Sequence, residues 1–155
     1  MIIKQGTSII EIVIAAALIS VTVIAALGLT NRSQKQNTYS RDLAEATKYT
    51  TQAADWLRTQ RDIVGWATMA DKMTTDGNDS VYCLNNFPAT DSDFTSLSAG
   101  ACTSGDYIPG TLFTRYAIVD TTSINTGVIK VSLTVTWMEN EARESTIELE
   151  LSQWH

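Results

Sequence analysis

The sequence has almost no histidine, and this scarcity limits the chemistry that the chain can support. The single histidine is His155, the final residue, and a terminal histidine is a poor general base. No GxSxG, HExxH or glycine-rich phosphate-binding motif occurs. The sequence therefore predicts a protein that is not an enzyme and that carries no cofactor.

Cysteine is equally scarce, because Cys83 and Cys102 are the only two. Neither lies in a CxxC motif or near a histidine, so the roughly four ligands of a zinc site are missing. An even number of cysteines favours a disulfide in an exported chain, whereas a cytosolic chain would keep two reduced structural thiols. Residues 76–79 (DGND) lack the spacing of a calcium-binding loop and are typical of a polar turn.

Basic residues are outnumbered, and the formal net charge of -6 gives no reason to expect nucleic acid or an anionic membrane surface as partner. The charge is uneven along the chain. Residues 31–61 contain six basic and three acidic side chains, whereas residues 62–155 contain four basic and thirteen acidic ones. This distribution predicts either two solvated surfaces or subunit packing guided by charge.

One long apolar run is present, from Ile9 to Leu29, and Glu11 is its only ionisable residue. As a helix, the eighteen residues 12–29 would be about 27 Å long, close to the thickness of the hydrocarbon layer of a membrane. An unpaired carboxylate in such surroundings costs several kcal/mol, on the order of the penalties seen for buried charges. The run therefore predicts a membrane-spanning helix in which Glu11 has a partner.

The helical pattern continues beyond the apolar run in amphipathic form. Apolar and small residues recur at steps of three and four, which indicates one buried stripe: Leu43, Ala46, Thr50, Ala53, Ala54 and Leu57. We expect one continuous helix from about Thr7 to about Arg61. A second, short helix is expected over residues 63–73.

The remainder of the chain predicts a loop region followed by a sheet. Residues 74–110 are rich in Asp, Asn, Ser, Thr and Gly, with one short strand expected at 80–84. Three β-runs follow, with period-two alternation clearest in the last two: residues 112–120, 128–138 and 145–154. The predicted fold is α+β, with a long N-terminal, partly transmembrane helix packed on a C-terminal antiparallel sheet of three or four strands.

The hexapeptide GTSIIE at residues 6–11, preceded by Lys4 and followed by the apolar run, resembles the processing site of type IV prepilins. The resemblance implies cleavage between Gly6 and Thr7 by a prepilin peptidase and methylation of the new amine on Thr7. Thr7 departs from the Phe or Met that the family usually carries there. The resemblance further implies that Glu11 pairs with the Thr7 amine of a neighbouring subunit.

The stem at 43–62 and the strands at 128–154 are similar to those of minor pilins called pilus modification proteins and of minor type II secretion pseudopilins. This similarity implies a leader at 1–6, a transmembrane and filament-core helix at 7–30, and a globular head at 31–155. The implied partners are other pilin subunits, the prepilin peptidase and the inner membrane before assembly. The implied location is the inner membrane, with the head outside the cytoplasm, and then a cell-surface filament or the periplasm.

Three alternatives stay open. The chain is a major pilin, or it is a secreted domain released by an ordinary signal peptidase after Ala26-Leu27-Gly28. The third alternative is an unrelated membrane protein with one span. Arg32 and Lys35 follow the apolar run whereas only Lys4 precedes it, and by the positive-inside rule this difference favours a cytoplasmic C-terminal domain.

Overall fold

The computed structural model describes residues 9–87, 94–139 and 141–153. Its contacts divide the chain into two compact units, Met1–Asp42 and Leu43–His155. The described part of the first unit is entirely helical, and the second unit contains helices and a sheet.

One helix, α1, spans Ile9–Val64 without interruption and belongs to both units. It contains no proline, and Gly28 is its single glycine, so nothing in the sequence breaks the backbone hydrogen bonding. The predicted continuity of the helix is confirmed over its described residues. The helix ends at Val64 rather than near Arg61 because Gly65 adopts φ of 83°, a conformation that favours glycine.

The second helix, α2, spans Trp66–Asp76 and therefore begins later than the predicted residues 63–73. The reason is again Gly65, which separates the two helices and which the sequence interpretation placed inside α2. Gly77, with φ of 99°, ends α2 by donating its backbone N–H to the carbonyl of Thr74 at 3.1 Å. Both ends of α2 are thus set by glycines in conformations that other residues rarely adopt.

Four strands form one sheet in the second unit: β1 (Ser80–Cys83), β2 (Thr114–Asp120), β3 (Val128–Met138) and β4 (Ala142–Ser152). The spatial order is β1-β2-β3-β4, and each neighbouring pair is antiparallel. A 3-10 helix, Ile124–Thr126, lies in the connection between β2 and β3. The predicted α+β class, with the long helix packed on an antiparallel sheet, is confirmed.

Four of the predicted strand limits need correction. β1 ends at Cys83, and β2 begins at Thr114 because a hydrogen-bonded turn over residues 108–113 precedes it. β4 begins at Ala142 rather than at residue 145, because Met138 pairs directly with Ala142 across a short turn. Its first residues are exposed on both faces, so they show no apolar alternation. β4 ends at Ser152 rather than at Trp154, since the described Gln153 already lies outside the strand.

The core of the second unit forms between α1, α2 and one face of the sheet. Five of the six predicted stripe residues of α1 are buried, and Leu43 is half-buried. The alternation predicted for β3 is confirmed, because its odd-numbered residues are buried: Ile129, Val131, Leu133, Val135 and Trp137. Leu149 and Leu151 of β4 are buried on the same face. The match of a helical stripe to a period-two face stabilises the unit through burial of apolar surface.

We predict that Leu57→Ala lowers the free energy of unfolding by about 2–5 kcal/mol, because it leaves a cavity between the helices and the sheet. Leu57 is only 2% exposed, whereas Ile63 on the same helix is 47% exposed. Ile63→Ala is therefore the matched control and should change stability much less. Denaturant unfolding of the full chain in detergent, followed by tryptophan fluorescence, measures both. Equal losses in the two variants would contradict the packing described here.

Candidate functional site

The first unit exposes its apolar side chains rather than burying them. Among the described residues, α1 is the one helix long and apolar enough to cross a membrane by length and composition, and its most apolar window is wholly unburied. Twelve large apolar side chains of this segment are exposed: Ile9, Ile10, Ile12, Val13, Ile14, Leu18, Ile19, Val21, Val23, Ile24, Leu27 and Leu29. A helix that is apolar all round requires lipid or other helices as its surroundings.

The hydroxyl groups within this apolar segment already have hydrogen-bond partners. Ser20 donates to the carbonyl oxygen of Ala16 at 2.8 Å, and Thr22 donates to that of Ile19 at 2.8 Å. Thr30, at the end of the segment, donates to the carbonyl of Ala26 at 3.0 Å. These local bonds remove the cost of placing hydroxyls in an apolar medium. They leave the segment suited to lipid except for one side chain.

That side chain is Glu11, which lies in the first described turn of α1 and is exposed. It is the only ionisable residue between Ile9 and Asn31. An ionised carboxylate surrounded by apolar groups is tolerated when it is paired with a cation, so Glu11 is suited to bind an amine or another positive group. Gly6 and Thr7, the predicted processing site, lie outside the described residues.

In the second unit, the predicted disulfide between Cys83 and Cys102 is confirmed. It joins the end of β1 to the loop that precedes β2. The same loop is held nearby by the backbone N–H of Gly100, which donates to the carbonyl of Val81 at 2.6 Å. The Asp106 carboxylate lies close to both sulfurs, but these are bonded to each other and neither is a thiolate that could bind a metal.

The most buried charged group of the second unit is Arg115, whose residue is only 2% exposed. Its guanidinium donates to the carbonyl of Leu84 at 2.7 and 2.9 Å and to that of Tyr49 at 3.0 Å. It also lies 3.9 Å above the centre of the Phe87 ring, a cation–π geometry. Burial lowers the pKa of Arg115 to about 10, so it remains a cation at neutral pH. Arg115 therefore joins the stem, the β1 end and the sheet.

The sequence interpretation did not single out Arg115. The available signal was its position, because it lies two residues before Ala117, which faces the core, and therefore on the same side of β2. A lone arginine on the apolar face of a strand indicates a buried guanidinium that is held by a hydrogen-bond network. The partners in this network are backbone carbonyls of distant segments, and no sequence pattern specifies them.

A second polar network connects α2 to β1. Asp76 accepts hydrogen bonds from Lys72 at 2.8 Å and from the Tyr82 hydroxyl at 2.6 Å. The hydrogen bond from Lys72, followed by the one from Tyr82, lowers the pKa of Asp76, whereas burial and then the Asp76 carboxylate raise the pKa of Tyr82. Asn78, in the same polar turn, accepts the backbone N–H of Thr121 at 2.9 Å. Asp76 and Asn78 thus hold the turn together, as the polar-turn interpretation expects.

A cleft with a volume of about 250 Å³ opens at one end of the sheet. Its lining is mostly apolar and aromatic: Tyr107, Leu112, Thr114, Thr136, Trp137, Met138 and Ala142. The described residues that line it include no carboxylate, histidine or cysteine, the side chains that most often supply acid–base groups. His155 lies outside the described residues. The interpretation of the chain as non-enzymatic stays a prediction.

No family model, no curated protein and no solved structure matches this chain.

We predict that replacing both cysteines, in Cys83→Ser/Cys102→Ser, lowers the melting temperature of the full chain in detergent. The bond closes a loop with a sequence separation of 19 residues, and the chain-entropy model assigns such a loop about 3 kcal/mol. A reducing agent should produce a similar decrease in the unmodified protein and none in the double variant. An unchanged melting temperature in both experiments would contradict a stabilising disulfide.

Proposed function

We propose that this chain is a structural subunit, of the minor pilin or pseudopilin kind, of a type IV pilus or a type II secretion pseudopilus. The observation that carries the proposal is a lone carboxylate, Glu11, in the first described turn of an exposed apolar helix. Glu11 is also the last residue of the GTSIIE sequence at 6–11, which resembles a prepilin processing site. The assignment to the minor class relies on the resemblance of the stem and strand segments. A major pilin is the alternative.

Cleavage after Gly6 would create a positively charged amine on Thr7, four residues before Glu11. In the proposed filament, Glu11 pairs with this amine on a neighbouring subunit. Each charge alone is unfavourable in apolar surroundings, and removing one partner of a buried pair costs about 3–5 kcal/mol. Only the register that brings the two charges together avoids this cost. The pair therefore selects one axial position of each subunit relative to the next.

The exposed apolar segment supplies the driving force for assembly in this proposal. Its side chains point around the whole helix, so one neighbouring helix cannot cover them all. Lipid covers them before assembly, and several neighbouring helices cover them in a filament core. The step from lipid to filament thus exchanges one apolar environment for another. Pairing of Glu11, rather than apolar burial alone, then favours the filament.

The continuity of α1 is also relevant to the alternative of an ordinary secreted domain. A cut after Gly28 would fall inside α1, which runs unbroken from Ile9 to Val64. Such a cut would leave the residues that follow Gly28 as the start of the mature chain. In the proposed function, by contrast, α1 stays whole and connects the apolar segment covalently to the disulfide-stapled sheet of the second unit. The head is then presented at the filament surface or tip.

We predict that Glu11→Ala leaves processing of the precursor intact but reduces incorporation into sheared filaments by about tenfold or more, because the Thr7 amine loses its partner. Glu148→Ala, which removes an exposed carboxylate from β4, is the control and should assemble normally. Immunoblots of the membrane and filament fractions from the native host measure both. Normal incorporation of the Glu11 variant would contradict the pairing.

A further inference from the structure

Two basic residues, Arg32 and Lys35, follow directly after the apolar segment of α1, and both are exposed. Residues three apart on a helix are neighbours on the same face, so the two charges form one patch, which we call the basic collar. No acidic residue occurs between Glu11 and Asp42. The collar therefore concentrates positive charge on a part of the helix that carries no negative charge of its own.

The collar has no ion-pair partner among the described residues, in contrast to the next basic residue along the helix. Arg41 lies 3.6 Å from the carboxylate of Asp42 and is balanced by it. Further along, Arg58 pairs with Asp55 at 3.1 Å. Arg32, Lys35 and, further along α1, Lys48 are exposed and have no ion pair among the described residues, but only Arg32 and Lys35 adjoin the apolar segment.

The spacing along α1 places this free charge at a defined depth. Arg32 lies 21 residues after Glu11, and at 1.5 Å per residue the two are about 32 Å apart along the helix axis. The hydrocarbon layer of a bilayer is about 30 Å thick. When α1 crosses the membrane with Glu11 near one boundary of this layer, the collar lies at the opposite boundary. The lipid phosphates lie just outside that boundary, within reach of long basic side chains.

We propose that the basic collar binds the headgroups of anionic phospholipids at the membrane surface where the apolar segment ends. The guanidinium of Arg32 can donate two parallel hydrogen bonds to a phosphate, and the ammonium of Lys35 adds a mobile point charge. Each basic residue near an anionic surface strengthens binding by about fivefold. The inference rests on the membrane step of the proposed function but does not depend on filament assembly.

The collar would hold the subunit at one depth before assembly. Sliding α1 along the membrane normal in either direction would pull Glu11 or the collar away from a boundary and into the apolar layer. Glu11 and the basic collar therefore oppose movement of the segment in opposite directions along the membrane normal. The positive-inside rule describes how a chain is oriented when it inserts, and for these two basic residues it favours the cytoplasmic side. Binding to lipid phosphate gives Arg32 and Lys35 a role on whichever side of the membrane they lie.

The competing occupant is the acidic face of a second copy of the chain. β4 carries three exposed glutamates on one face, Glu144, Glu148 and Glu150. Lipid is favoured because the collar lies within three to six residues of Leu29, inside the same unit as the apolar segment. Phosphates are present at that level around every membrane-spanning helix. A β4 surface would be there only after a specific subunit contact.

The test uses the full-length protein reconstituted in vesicles that contain phosphatidylcholine and phosphatidylglycerol. The vesicles are extracted with mild detergent, and native mass spectrometry counts the lipids of each class that remain bound. Arg32→Gln/Lys35→Gln removes the collar. Lys48→Gln/Arg58→Gln removes two other exposed bases of α1 and makes the same change in net charge, so it is the matched control. Protease accessibility verifies that each protein has inserted.

The unmodified protein should retain phosphatidylglycerol in preference to phosphatidylcholine. This preference should fall about tenfold or more in the collar variant, stay unchanged in the control variant, and weaken as salt is added. Equal enrichment in the collar variant and the unmodified protein would overturn the inference. An equal loss in both variants would overturn it as well, because net charge alone would then explain the preference.

Three further outcomes separate this inference from the proposed function. A collar variant that keeps its lipid preference but no longer cross-links to a second copy would assign the collar to a protein contact and overturn lipid binding. A protein that inserts without any lipid preference would contradict the inference and leave the proposed function standing. A protein that fails to insert would contradict both, because the membrane step would be missing.

Discussion

The proposed function depends on how one carboxylate, Glu11, is accommodated in an apolar helix. Every other polar side chain of the segment that can be described forms a bond within the helix, as Ser20, Thr22 and Thr30 do through backbone carbonyls. The ionised carboxylate of Glu11 has no hydrogen to donate to a backbone carbonyl, so it needs a boundary of the membrane or a positive partner. The proposed filament supplies the partner, and the membrane supplies the boundary before assembly.

The second unit has a different physical requirement. Its sheet is small, and α1 and α2 cover only one of its faces, so further contacts are needed for stability. The small residues Ala46, Ala53 and Ala54 are buried on the stripe of α1, where they pack without leaving large side chains to accommodate. Arg115 then ties segments that are far apart in sequence through three backbone hydrogen bonds, and the disulfide holds the long loop beside β1. These contacts stabilise the second unit without requiring a large core.

The features that could be predicted from the sequence are those in which apolar residues repeat at a regular spacing. The stripe of α1 and the alternation of β3 are such features, because 3.6-residue and two-residue periods follow from backbone geometry. The helix break at Gly65 was missed because it depends on one backbone conformation, and the start of β4 was missed because Arg143 and Glu144 are exposed. The Arg115 network was missed because its acceptors are backbone carbonyls, which every residue has. Glu11 stands out by composition, but its proposed partner belongs to another molecule.

The most direct test of the central claim is the N-terminal residue and mass of the mature protein purified from its own host. The account predicts a chain that begins at Thr7, with or without one added methyl group, because the amine that pairs with Glu11 exists only after cleavage. A chain that begins at Leu29 would contradict the account, since Glu11 would then be absent from the mature protein. A chain that retains Met1 would contradict it as well and would leave a membrane protein with an uncleaved N-terminus.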